Sequence, residues 1–139
     1  MPRVVKSSSS SSSPPEDASS VDRREERLGI ALPLKLIYPR PKAVDEVIPG
    51  VLIDLSASGM QILTDQRFSL LLPPTRRTRL EVEFFLDELE IRQAPIQVLR
   101  VEQQKNYQLI LGCKFIDLPT PARLSLRAEV SKRLSKLRT

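Results

Sequence analysis

The chain contains no histidine, no tryptophan and a single cysteine, and each shortage closes off a class of chemistry. Without histidine, the commonest general base, the usual activator of a nucleophile and the commonest metal ligand are all missing. Cys113 has no second thiol to pair with and no ligand-type neighbours, so it reads as a small buried hydrophobe. Glu25-Glu26, Glu81, Glu83 and Asp87-Glu88 lie in charged or alternating stretches, where solvated faces far outnumber catalytic carboxylate pairs. No catalytic residue, cofactor or metal site is expected. Aromatic residues are scarce at 4%, which weighs against a single-strand nucleic-acid binder that stacks bases on exposed rings. No apolar run approaches the roughly 20 residues that cross a bilayer. The start of the chain offers Met1, Arg3 and Lys6 and then serines, without the apolar stretch of a secretory signal, so a cytoplasmic location is the expectation.

What is present suits one globular domain with tails: 139 residues, 40% hydrophobic and 28% charged. Residues 7–20 read SSSSSSSPPEDASS, which offers almost nothing to bury, so 1–20 is expected to be a disordered leader. The net charge of +5 is matched by the surplus over Thr120–Thr139, where six Lys and Arg residues oppose Glu129 alone. The remainder is neutral, unlike a domain built around a nucleic-acid groove.

Between the tails, apolar residues recur with period two. Ile30, Leu32, Leu34, Leu36 and Tyr38 predict a first strand, Val51, Ile53 and Leu55 a second, and Met60 and Ile62 a third after a break at Ser56–Gly59. Phe68–Leu72 is a short apolar run that Pro73-Pro74 must end. Leu80, Val82, Phe84 and Leu86 give the cleanest alternation, continued by Ile91 and by Ile96–Val101 after an interruption at Pro95. A polar hairpin turn at Gln103–Asn106 leads to Leu109, Leu111, Cys113 and Phe115. Six or seven short strands with no helix between them predict an all-β antiparallel sheet closed into a barrel over 21–119. From Thr120, read as an N-cap before Pro121, Leu126, Val130, Leu134 and Leu137 fall on one face of a C-terminal amphipathic helix over 120–139. Its stripe is expected to pack on one end of the barrel.

Two segments stand out. Asp22-Arg23-Arg24-Glu25-Glu26-Arg27 precedes the first strand, with Arg23 and Arg27 four apart, and Asp54-Leu55-Ser56-Ala57-Ser58-Gly59 ends the second. Alone, the first reads as a solvated charged stretch. The second reads as turn chemistry, with side-chain oxygens bonding nearby N–H groups and a glycine where positive φ is needed. In this order, with a strand between, they resemble the PilZ family, whose marks are RxxxR ahead of the first strand and [D/N]xSxxG between the second and third. Gly112-Cys113-Lys114-Phe115 adds the glycine and phenylalanine three apart that members tend to show.

The resemblance implies a six-stranded barrel that binds cyclic di-GMP through Arg23, Arg27, Asp54, Ser56 and Gly59. The residue types suit that ligand independently. Arginine makes bidentate contacts to phosphate or to guanine O6 and N7, and its flat guanidinium stacks on a base. An ionised Asp54 accepts the N1–H and N2–H of guanine. Ser56 either bonds a guanine edge or holds the turn, and Gly59 leaves room where ligand or chain must pass. Arg24 either touches a phosphate or is neutralised by Glu25 and Glu26. Asp22, just ahead of RxxxR, favours one nucleotide over a stacked pair. The implied output is a signal to an unidentified effector protein controlling motility, exopolysaccharide or virulence, from a monomer or homodimer. The alternatives are a PilZ-like adaptor that binds protein and no nucleotide, and a small barrel that binds nucleic acid.

Overall fold

A computed structural model describes residues 25–137. Six strands, β1 (Leu28–Tyr38), β2 (Glu46–Leu55), β3 (Gly59–Asp65), β4 (Arg79–Leu86), β5 (Leu89–Gln103) and β6 (Gln108–Phe115), precede one helix, α1 (Thr120–Leu137). Every neighbouring pair is antiparallel, and the order β1-β2-β3-β6-β5-β4 closes into a barrel through a short ladder between Lys35–Ile37 of β1 and Glu81–Glu83 of β4. The interior is predominantly apolar: Leu36, Leu52, Leu55, Ile62, Val82, Leu86, Ile96, Leu109 and Leu111 have no exposed surface. At roughly 1.5–3 kcal/mol for each fully buried side chain of this kind, the core is the main support of the fold.

The expected alternation holds along β4 and β6, where Leu80, Val82, Phe84 and Leu86, and Leu109, Leu111 and Cys113, all point inward. In β2 it fails. The inward residues are Ile48, Leu52 and Leu55, whereas Val51 and Ile53 are only half-buried, so the face read as Val51, Ile53 and Leu55 is corrected. An extra residue in the strand is the cause: β2 bulges at Ile53.

The apolar run Phe68–Leu72 is not a strand. Asp65 accepts the backbone N–H of Arg67 at 2.8 Å and caps a short 3-10 turn at Gln66–Phe68, beyond which Leu72 is buried and Leu70 fully exposed. Nor does Pro95 interrupt β5. It follows a bulge at Gln93, whose φ is 47°, and its carbonyl accepts Ile116 N–H at 2.9 Å. A bulge is one of the sheet positions that tolerate a missing N–H. The turn expected at Gln103–Asn106 is made one residue later, over Gln104–Tyr107, with Lys105–Tyr107 in a 3-10 turn.

The helix buries Leu126 and Val130 in the barrel core, with Leu134 partly buried beside them, while Leu137 is exposed and the stripe ends. Its first hydrogen bond runs from Arg123 N–H to the Pro119 carbonyl at 2.9 Å, so Pro119 and not Thr120 stands at the cap. Arg133 donates to both oxygens of Asp87, at 2.8 and 3.2 Å, and fastens the helix to the β4–β5 turn. That hydrogen-bonded guanidinium holds the Asp87 carboxyl below its ordinary range.

β3 and β6 meet unusually closely at Gly59, where a Cβ would lie 2.4 Å from the Cys113 carbonyl oxygen. Gly59→Ala is therefore expected to lower stability by about 1–3 kcal/mol, because backbone and not a pliable side chain must give way. Denaturant titration would measure it, and an unchanged midpoint would show that the strands can part. Burial pushes the neighbouring Cys113 thiol up to about 12. A thiol reagent at pH 8 should leave the native chain unlabelled and react only once denaturant opens the barrel.

Candidate functional site

The bulge in β2 decides where Asp54 faces. Two residues after the inward Leu52, unbroken alternation would send its carboxylate into the core. Instead Leu52 pairs with Ile62 and Asp54 with Gln61, leaving Ile53 without a partner on β3, and Leu55 takes the inward place. On the other side, Asp54 pairs with Gly29 and Leu52 with Leu32, a matching shift in β1. The carboxylate thus stands on the outer face, partly exposed.

Beyond Leu55 the chain turns tightly. Ser56 N–H donates to the Gly59 carbonyl at 2.9 Å, and Gly59 N–H donates to Ser56 Oγ at 3.2 Å. The Ser56 hydroxyl is also 3.3 Å from the Gly59 carbonyl, and the residue is 2% exposed. Of the two roles open to Ser56, the geometry is that of a residue holding the turn. Gly59, expected at positive φ, is not there for that reason: no glycine among the described residues has positive φ. Its need is the missing Cβ against Cys113.

The segment before β1 lies against this turn. Arg27 donates from Nη2 and Nε to Asp54 Oδ2, at 3.0 and 3.3 Å, across 27 residues of sequence. Ser58 Oγ donates to Glu25 Oε1 at 2.5 Å. Asp54 Oδ1 is sheltered from solvent and has no hydrogen-bond partner among the described residues. Arg23, the other predicted arginine, lies outside the described residues, as do Asp22, Arg24 and the serine-rich leader.

A concavity of about 540 Å³ opens beside the Arg27–Asp54 pair. Its lining includes three predicted site residues, Arg27, Ser56 and Gly59, together with Ser58, Gln61, Arg100, Gly112, Lys114 and Phe115. The size falls within the range of small-molecule sites. Sequence reasoning missed Arg100 and Lys114 on β5 and β6. A signal existed for Arg100, which follows the inward Val98 by two residues, as Asp54 follows Leu52. Neither Arg100 nor Lys114 has an ion-pair partner among the described residues, so the concavity holds fixed positive charge.

Among the described residues no group of histidine, cysteine, aspartate and glutamate could hold a metal, and no helix is long and apolar enough to cross a membrane. Phe68, Phe85 and Tyr107 are exposed, but none lines the concavity, and Arg67 lies over Tyr107 and Arg92 over Phe85.

Comparison of the fold with solved structures returns similar barrels. The Bacillus subtilis inhibitor of motility MotI/DgrA matches with a TM-score of 0.66 and 16% identity over 84% of this chain. Escherichia coli YcgR in complex with c-di-GMP matches with 0.64 and 15%, again over 84%. The chain spans about half the length of these two proteins, 53% and 48%. It covers 96% of the isolated PilZ domain of Escherichia coli YcgR with c-di-GMP, with a TM-score of 0.60 and 18% identity. At such identities the likeness establishes the fold. A search of curated proteins gave no match. The sequence itself matches the PilZ domain model over residues 22–132, and the chain belongs to the PilZ domain family.

Proposed function

We propose that this chain is a cyclic di-GMP receptor, a binding module without catalytic activity that holds the nucleotide on the barrel face beside Arg27 and Asp54. One observation carries the reading: Arg27, distant in sequence from Asp54, Ser56 and Gly59, meets Asp54 at 3.0 Å and lines one concavity together with Ser56 and Gly59. Cyclic di-GMP brings two phosphates and two guanines. Arg27 uses Nε and Nη2 on Asp54 and keeps further N–H donors for a phosphate or for guanine O6 and N7. Asp54 Oδ1, without a partner among the described residues, is an acceptor suited to a donor such as guanine N1–H.

The Arg27–Asp54 pair does not stand in the way. With side chains 56% and 23% exposed, such a pair contributes roughly 0.2–1 kcal/mol, whereas a good bidentate contact to a base is worth about 1–3 kcal/mol. A nucleotide offering both partners outcompetes the pair. Binding then fixes the segment Asp22–Arg27, with Arg23 as the second arginine of the clamp, and an effector protein senses the altered surface. The structures of Escherichia coli YcgR holding c-di-GMP support the choice of ligand.

Titration calorimetry tests the proposal. The parent chain should bind cyclic di-GMP, and Arg27→Ala, Arg23→Ala and Asp54→Ala should each weaken binding roughly 5-fold to 150-fold. Binding should persist in excess single-stranded RNA. A parent chain with no measurable affinity would leave the adaptor reading in its place.

A further inference from the structure

The antiparallel order sorts the connections between strands into two sets. The β2–β3 and β4–β5 turns lie at one end of the barrel, with the segment entering β1 and the candidate nucleotide site. The β1–β2, β3–β4 and β5–β6 connections leave from the other. β3 and β4 face each other across the closed order, so residues 66–78 cross that far end.

Leu72, buried in the core, anchors the crossing. Just before it the chain makes a tight turn. Leu72 N–H donates to the Ser69 carbonyl at 3.2 Å, Leu71 N–H to Ser69 Oγ at 3.0 Å, and Ser69 Oγ to Glu46 Oε1 at 2.5 Å. The two central residues of this turn are Leu70, fully exposed, and Leu71, 36% exposed. Turns favour glycine, proline, asparagine, aspartate and serine, so nothing in the geometry asks for leucine here. With Ser69 tied to β2 and Leu72 in the core, the tip is held outward.

Val44, Val47, Phe68 and Tyr107 are also exposed at this end. The Ser69–Glu46 bond joins the crossing to β2 beside Val47, and Arg67, 4.8 Å over the Tyr107 ring, joins it to the β5–β6 turn. Residues 39–45, 66–78 and 104–107 together carry Arg40, Lys42, Arg67, Arg76, Arg77 and Lys105 against Asp45 alone. Arg40, Lys42 and Lys105 have no ion-pair partner among the described residues. Two leucines at the apex of a convex turn need no matching pocket when the receiving medium is fluid, and cations around them meet lipid phosphates. Tyr107 suits headgroup depth, where one end of a ring is dry and the other wet.

We propose that this end of the barrel docks on an anionic lipid surface. Leu70 and Leu71 enter the boundary between headgroups and acyl chains, and Arg40, Lys42 and Lys105 face the phosphates. The chain then lies on the membrane without spanning it, and the nucleotide site at the opposite end points away from the lipid. No residue is shared with that site, so the inference stands apart from the receptor reading.

Co-sedimentation of the full chain with vesicles tests it. The chain should pellet with vesicles of phosphatidylcholine and phosphatidylglycerol and stay in solution with phosphatidylcholine alone. Changing both Leu70→Ser and Leu71→Ser should weaken vesicle binding about tenfold or more. Lys42→Ser or Lys105→Ser should cost about fivefold, the worth of one cation near an anionic surface. Serine suits a turn, so the thermal melt of the leucine variant should match the parent and exclude misfolding. A parent that ignores the anionic vesicles overturns the proposal. So does binding that survives the leucine changes and is lost with Arg127→Ser and Lys132→Ser, which would move the lipid contact to α1. Absence of vesicle binding together with a dimer in sedimentation velocity that Leu70→Ser dissolves would give the tip to a second copy of the chain instead.

Discussion

The extra residue at Ile53 is the constraint on which the rest of the site depends. β2 has to place Leu52 and Leu55 in the core, and both are wholly buried, although they are three residues apart where a regular strand repeats every two. The bulge resolves that mismatch, and its by-product is an outward carboxylate between β1 and β3. Had the strand stayed regular, Asp54 would sit unpaired in hydrocarbon, at several kcal/mol for the buried charge, or Leu55 would be lost to solvent. Apolar burial therefore aims the charged side chain. No interaction made by Asp54 itself is needed to turn it outward.

The same arithmetic recurs in β5. Ile91 and Ala94 are both buried with Arg92 and Gln93 between them, and Val98 is buried with Leu99 and Arg100 before the half-buried Val101. Each three-residue step between inward positions coincides with a register shift. A polar residue two places after an inward one, followed at once by an apolar residue, is a local mark of a bulge. It can be read from the letters alone.

How much else could be read follows from where the periodicity is clean. β4 and β6 alternate without a bulge inside them, and their inward faces were legible residue by residue. β2 was assigned to the wrong face because period two was carried through Ile53, and the Phe68–Leu72 run misled because apolar composition says nothing about the turn that Asp65 caps. Arg27, Asp54, Ser56 and Gly59 were legible as two motifs, but their meeting was not, since it depends on β1 and β2 being neighbours in register. Ser56 was open to two roles, a guanine edge or the turn, and Gly59 to two, room for ligand or for chain; Ser56 ties the turn, Gly59 admits the Cys113 carbonyl, and both also line the concavity. Lys114 occupies an unspecified position between Gly112 and Phe115, and Arg100 carries only the mark of a bulge, so their place beside the concavity emerged when β5 and β6 were laid beside β3.

Closure of the sheet has a consequence for how anything occurring on this face is communicated. β1 is hydrogen-bonded to β2 along one side and to β4 along the other, so shifting it would break ladders in two directions at once. A cylinder so stitched opposes sliding of β1 against its two neighbours. A molecule that read this face would meet, at one seam, both the incoming segment at Glu25–Arg27 and the turn at Ser56–Gly59 against which it lies.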